Sequence, residues 1–375
     1  MARMAISGAA GTTVRIGGRE VVSFGGCNYL GLSYHPEVLA ALQRGLSQYG
    51  ISTSASRETT GNTVAHDALE AAVRDFLGVE SAVVVPDGYT ANLAAAQALA
   101  GTHRYAVIDA RCHRSIRESL ACAGMTVAKY AHLDAEQAAE RVREFAALGL
   151  VSVWTDGVFA ADGSVAPVAE LAAACDEHGA ALIVDDCHGL FTMGPGGRGT
   201  AAQAGLRDHP SITVTSTLAK GVGCHGGFVA GSNMIADMVR DRSTAYICTT
   251  PVSPAIACAA VESFGVVQRE PELVDRLRQN ADELSRGLIR AGLRIQNHGT
   301  PVFAFTTEGD MRGLHESLLE HGFLAPLIEY PDGPAPRYFR LSVSTLHTRD
   351  QIAGLCGALA RSLRAVSPKG ALAGQ

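Results

Sequence analysis

Between Ser81 and Asp185 the chain alternates short β-branched runs with longer helical segments, a pattern that few folds accept. AVVV precedes a helical stretch from Thr90, AVID one after His113 and TVAKY one from Asp134; LVSVW then precedes one from Val168 that leads into ALIVDD. Runs that are apolar at every position suit strands buried on both faces, and strands joined through helices run parallel. The pattern predicts a mainly parallel sheet covered by helices on both sides. Two more strand-like runs, SITVT and GGFVAG, follow with no long helix between them. A connection that short is too short for a parallel crossover and predicts an antiparallel return strand.

Upstream, a strand-like VVSFGG precedes two segments with apolar residues at helical spacing, 35–49 and 64–77, separated by the polar loop GISTSASRETTGN. Helical patterns dominate 254–292, and a new set of strands and helices begins at Leu293. The expected division is an N-terminal segment 1–50, a large domain 51–270 and a small C-terminal α+β domain 271–375, with the boundary near the helix 271–291. The tail VSPKGALAGQ is expected to fray.

A chain of 375 residues that is 47% hydrophobic can bury a large core, which argues against disorder. Its net charge of −6 carries no basic stripe, so neither nucleic acid nor a membrane surface is an expected partner. A small-molecule substrate is the better default. Nine cysteines with no C-x-x-C pair read as reduced thiols rather than a disulfide or zinc framework, and no metal is expected. No segment reaches the ~18 apolar residues of a membrane span, and the N-terminus lacks a signal-peptide core. A soluble, cytoplasmic protein is the expectation.

In an open α/β sheet, ligands gather beyond the carboxyl ends of the strands. Asp185 closes ALIVD, His113 follows AVIDARC, Asp87-Gly88-Tyr89 follows AVVVP, and Lys220 follows SITVT. A lysine there can form a Schiff base with an aldehyde cofactor, and a strand-end aspartate can hold a pyridinium nitrogen protonated. Gly88-Tyr89-Thr90 opens a helix, whose free N–H groups favour a phosphate. His113 offers an aromatic face, His188 can hydrogen-bond beside Asp185, and Thr217 can donate to a phosphate. Each residue taken singly has an ordinary alternative: a surface lysine, a loop histidine, a plain turn.

Four longer stretches carry a resemblance. NYLGLSYHPEVLAAL, DGVFAADGSVAPVAELAAACDEHGAALIVDDCHGLFTMGPGGRG, TLAKGVGCHGGFVAGS and RYFRLSVSTLHTRDQI occur in that order and, with the 50–77 region, span Asn28 to Ile352. In them the chain resembles the α-oxoamine synthases, a family of fold-type-I pyridoxal phosphate enzymes. The resemblance implies a fold-type-I transferase with a mainly parallel seven-stranded sheet and a small C-terminal α+β domain. It implies that Lys220 forms the Schiff base and serves as base for the α-proton, that Asp185 partners the pyridine nitrogen, that His113 stacks on the ring and that His188 lies beside the phenolic oxygen. Phosphate ligands would be Gly88, Tyr89 and Thr217, joined by Thr249 or Thr250 from the partner of a homodimer with shared active sites. Arg340 would grip the amino-acid carboxylate, with Cys27 and Asn28 nearby in the substrate site. The implied reaction is a decarboxylative, Claisen-like condensation of an amino acid with an acyl thioester, of coenzyme A or of a carrier protein, giving an α-amino ketone. The alternative is another fold-type-I reaction without an acyl donor, an aldolase-like lyase or an aminotransferase.

The chain departs from the family pattern at a few points. Cys27 stands where the family has an asparagine, Ala160 where it has a serine that donates to the phenolic oxygen, and Asp156 where it has a glutamate. The N-terminal helical extension common in the family is not seen. These differences lead to the expectation of an unusual amino acid or acyl donor, as in a specialised pathway.

Overall fold

The predicted strands form one seven-stranded sheet in the computed structural model, which describes residues 5–329 and 333–366. The expected fraying of the tail beyond Val366 lies outside the described residues. Across the sheet the order is Ser81–Val85, Gly227–Gly231, Ile212–Thr217, Ala181–Asp185, Val151–Asp156, Tyr105–Asp109 and Thr126–Tyr130. Only Gly227–Gly231 runs antiparallel to its neighbours, because the loop 218–226 reverses the chain at once. That reversal sets Lys220 at the carboxyl edge, where Gly227 lies opposite both Thr217 and Val85.

Local sequence explains the helix starts. Asp87 caps Gly88–Ala100 by accepting from Thr90 N–H at 2.7 Å, and Asp134 caps Ala135–Ala146 in the same way. The helix predicted over 64–77 is Val64–Leu77, and Gly78 ends it at φ +75°, a conformation other residues adopt only with strain. Ala91, Ala94, Ala95 and Ala98 are wholly buried in Gly88–Ala100; side chains this small let the helix lie close against the strands Gly227–Gly231 and Ile212–Thr217.

Two compact units result, one of residues 32–159 and 164–274, the other of 1–31, 160–163 and 275–375. These bounds differ from the sequence-based divisions at 50 and 270. Residues 1–31 join the C-terminal unit because Arg19–Ser23 pairs in parallel with Phe323–Leu324. The helix Pro36–Tyr49 joins the large unit because it packs on Pro254–Arg269, where a Cβ at Gly45 would fall 2.7 Å from Ala255 Cα. The second unit has its own core around Phe24, Leu284, Phe303, Phe339 and Leu355. Among the described residues no helix is long and apolar enough to cross a membrane.

Candidate active site

At the carboxyl edge of the seven-stranded sheet, the strand ends enclose a cavity of about 250 Å³. Gly88, Tyr89, His113, Asp185, His188, Thr217 and Lys220 all line it. Ser115, Asp156 and Cys187, which the sequence pattern does not assign to a site, line it as well.

Lys220 is carried by a tight turn in which Gly223 N–H donates to the Lys220 carbonyl at 2.9 Å. Gly223 has φ +75°, and a Cβ there would fall 2.5 Å from Ser33 N, so this turn needs glycine. Thr217 braces the same loop: its hydroxyl donates to the Gly226 carbonyl at 3.1 Å and accepts Ala219 N–H at 3.1 Å. Lys220 Nζ lies 2.9 Å from His188 Nε2, close enough for one proton to be held between amine and imidazole.

Asp185 is buried, and both its oxygens accept hydrogen bonds. Asn92 Nδ2 donates to Oδ2 at 2.7 Å and Cys187 N–H to Oδ1 at 3.1 Å. Asp156 is its register partner on the adjacent parallel strand, so two buried carboxyls stand side by side. Asp156 Oδ2 accepts His113 N–H at 2.7 Å. Burial, and then the charge of Asp185, push the Asp156 carboxyl well above the ordinary carboxylate range. Burial also lowers the His113 imidazole, favouring its neutral form.

The Asp156 shift makes a stability prediction. A carboxyl whose folded pKa is raised contributes fully below its unfolded pKa of 3.8, and that contribution is lost as pH rises toward the folded value. Asp156→Asn removes the loss, so apo-protein melting temperatures of variant and parent should diverge, variant higher, as pH rises above about 4. Thermal melts from pH 4 to 8 that run parallel would reject the assignment of the proton to Asp156.

At Gly88 a Cβ would fall 2.8 Å from Thr217 Cβ and 3.2 Å from Cys187 Sγ, so the first turn of the helix approaches the strand end as only glycine allows. The Tyr89 side chain is partly exposed, and its hydroxyl donates to Glu118. The second compact unit holds Arg340, Cys27 and Asn28. Arg340 Nε donates to the Ala160 carbonyl, and its Nη2 lies 4.0 Å from Cys27 Sγ. The Asn28 carbonyl accepts Gly31 N–H at 3.1 Å. Thr249 donates to the Ala245 carbonyl at 2.7 Å and Thr250 is exposed; both lie outside the cavity lining of their own chain.

Asn92, Ser115, Asp156 and Cys187 escape a sequence-based assignment because no chemistry attaches to them singly. Their signals are positional: Asn92 falls four residues after Gly88 on one helix face, Asp156 ends a strand, and Cys187 follows Asp185 by two. The donor set fits pyridoxal phosphate. A buried carboxylate, an amine, a neutral imidazole and a glycine-only helix start face one cavity, the complement that a pyridinium, an aldehyde, an aromatic ring and a phosphate require.

The profile of the family described as aminotransferase class I and II matches residues 19–359. The 8-amino-7-oxononanoate synthase of Thioalkalivibrio sulfidiphilus is 35% identical over 93% of this chain and 90% of its own length. That of Methylococcus capsulatus is 36% identical over 93% and 91%. A serine palmitoyltransferase from S. paucimobilis, solved with pyridoxal phosphate and myriocin, superposes with a TM-score of 0.92 at 30% identity, covering 97% of this chain and 93% of that one. The serine palmitoyltransferase of Sphingomonas wittichii gives a TM-score of 0.91 at 28% identity, covering 97% and 92%. The chain therefore belongs to the aminotransferase class I and II family, as a pyridoxal phosphate-dependent acyltransferase of the α-oxoamine synthase type.

Proposed function

We propose that this enzyme condenses an amino acid with an acyl thioester, releasing CO₂ and the thiol and leaving an α-amino ketone, with Lys220 and Asp185 as its central pair. The observation that carries the reading is the presence of Lys220, Asp185, His113 and His188 on the wall of one cavity. Pyridoxal phosphate, when bound, supplies an electron sink for negative charge at the substrate α-carbon.

Each residue then has a task its chemistry suits. Lys220 would hold the cofactor through its amine and would serve as the base for the α-proton; His188, at 2.9 Å, is placed to exchange a proton with that amine. Asp185 would hold the ring nitrogen protonated, and the aromatic face of His113 would serve the ring. The N–H groups of Gly88 and Tyr89, at the start of a 13-residue helix, take the phosphate with Thr217. Arg340 takes the amino-acid carboxylate, with Cys27 and Asn28 beside it in the substrate site.

Thr249 or Thr250 of a second copy completes the phosphate site in a cytoplasmic homodimer. Mixing Lys220→Ala with a Thr249→Ala/Thr250→Ala double variant, each nearly inactive alone, should restore a measurable fraction of activity through mixed dimers with one native site. No recovery under conditions that exchange subunits would reject shared sites.

Incubating holoenzyme with each amino acid and a panel of coenzyme A and carrier-protein thioesters tests the reaction itself. Thiol and CO₂ release dependent on both substrates supports condensation; keto-acid formation without thiol release would replace it with transamination. Relatives named for 8-amino-7-oxononanoate suggest where the panel begins, and Cys27 and Ala160 support extending it to less usual amino acids. Arg340→Lys keeps the charge but loses the planar fork of donors, so the KM for the amino acid should rise about tenfold or more while that for the thioester stays put. Equal rises in both KM values would show that Arg340 does not recognise the carboxylate.

A further inference from the structure

We propose that Asn92 is a positioning residue that governs two cofactor-facing groups at once, holding Asp185 as the acceptor carboxylate and confining the His113 ring proton to Nε2. The inference rests on the roles given above to Asp185 and His113, and deepens them.

The geometry is a directed hydrogen-bond chain through buried side chains. Asn92 is wholly buried on the helix Gly88–Ala100, and Thr215, Ser115 and Asp185 around it are each at most 4% exposed. Thr215 Oγ1 lies 2.7 Å from Asn92 Oδ1. Asn92 Nδ2 lies 2.7 Å from Asp185 Oδ2 and 2.8 Å from Ser115 Oγ. An amide has one acceptor oxygen and two N–H bonds, so the chemistry settles its orientation. With the amide reversed, its oxygen would face the Asp185 oxygen at 2.7 Å with no proton between them unless Asp185 were neutral. In the observed orientation the Thr215 hydroxyl donates to the amide oxygen, and both amide hydrogens are used.

The consequences run to two sides of the cavity. Asp185 receives Asn92 on one oxygen and Cys187 N–H on the other, so its ionised form is the one that is solvated. Ser115, having accepted from Asn92, turns its own proton toward His113 Nδ1, 2.6 Å away. The Ser115 backbone N–H points at the same nitrogen from 3.2 Å. Two donors aimed at Nδ1 leave that nitrogen as the acceptor and place the ring proton on Nε2. Tyr89, Asp156, Lys220, His188 and Cys187 are the other titratable groups on the cavity wall; Cys187 also bonds Asp185 through its side chain, while the Ser115 hydroxyl takes its donor from Asn92.

The test compares Asn92→Ala, Asn92→Asp and the milder Thr215→Val, with Asp185→Asn as reference. In histidine-labelled protein without cofactor, nitrogen NMR should find the His113 proton on Nε2 in the parent and a mixture of tautomers in Asn92→Ala. In holoenzyme, Asn92→Ala should weaken pyridoxal phosphate binding about tenfold or more, because a buried carboxylate and hydroxyl lose their donor. Asn92→Asp keeps the shape, so its loss should be greatest at alkaline pH, where the introduced carboxylate faces Asp185. It should recover toward acid, where protonation restores one donor, whereas Asn92→Ala should show no such recovery. Thr215→Val should lie between parent and Asn92→Ala in both readouts, which keeps the test decisive if Asn92→Ala does not fold. An unchanged His113 tautomer in these variants, or an Asn92→Asp defect independent of pH, overturns the proposal and reduces Asn92 to packing. Should Asp185→Asn leave the cofactor absorbance and activity unaltered, the role assigned to Asp185 fails, and the His113 tautomer alone then decides for or against Asn92.

Discussion

Lys220→Ala should lower turnover by at least about 10⁴-fold, because on the proposed mechanism one side chain is removed that both attaches the cofactor and moves the α-proton. The amine is the cavity's lysine, and its neighbour His188 has no primary amine with which to replace it. Pyridoxal phosphate should still enter, since the helix start at Gly88 and the carboxylate of Asp185 are untouched, but it should leave on desalting, and the absorbance of the amine-linked cofactor should be missing. The fold should survive: Lys220 is only partly buried, and the turn that carries it is closed by backbone hydrogen bonds and glycine geometry. Thiol release, cofactor absorbance after desalting and a thermal melt check the three statements together. Residual turnover above about a hundredth of the parent, well beyond what a lost nucleophile permits, would remove Lys220 from the centre of the mechanism.

Asp185→Asn should lower kcat/KM by about 10²- to 10³-fold, the range for removing one preorganised charge aimed at the reacting system. The same change should lower the melting temperature of the apo protein. Both Asp185 oxygens accept N–H donors, from Asn92 and from Cys187, and an amide at 185 turns its own NH2 toward one of them, leaving two buried donors facing each other. Steady-state kinetics and paired melts near pH 7 provide the check. A variant that loses stability but keeps kcat/KM within about threefold of the parent would mean that Asp185 serves the fold through Asn92 and Cys187 rather than the chemistry.

Much of the site is legible in the order of residues along the chain. Strand-end residues in a parallel sheet converge because every strand delivers its carboxyl end to the same edge; Asp185, His113, Gly88 and Lys220 can therefore be grouped from their places after apolar runs. Asn92, Ser115 and Thr215 cannot. Their importance lies in a hydrogen-bond direction among residues 23 to 123 positions apart, and one-dimensional spacing carries no such information. The unit boundaries are partly hidden for a similar reason. The parallel pairing of Arg19–Ser23 with Phe323–Leu324 joins segments some 300 residues apart, and a pair of such short strands leaves little periodic signal in either.

The sequence by itself determined the layered α/β sheet, the antiparallel return that carries Lys220, and the grouping of Asp185, His113, Gly88 and Lys220 at one sheet edge. Hydrophobic periodicity and short connections are local properties, and they leave few topologies open. Only the tertiary structure decided that Asp156 stands against Asp185, that Arg340 hangs from the Ala160 carbonyl with Cys27 near its fork, and that a single amide, Asn92, links Asp185 to His113. Those relations depend on strand register and side-chain direction, which are set when distant segments pack together, and on burial, which gives a hydrogen bond or an unshared proton its weight.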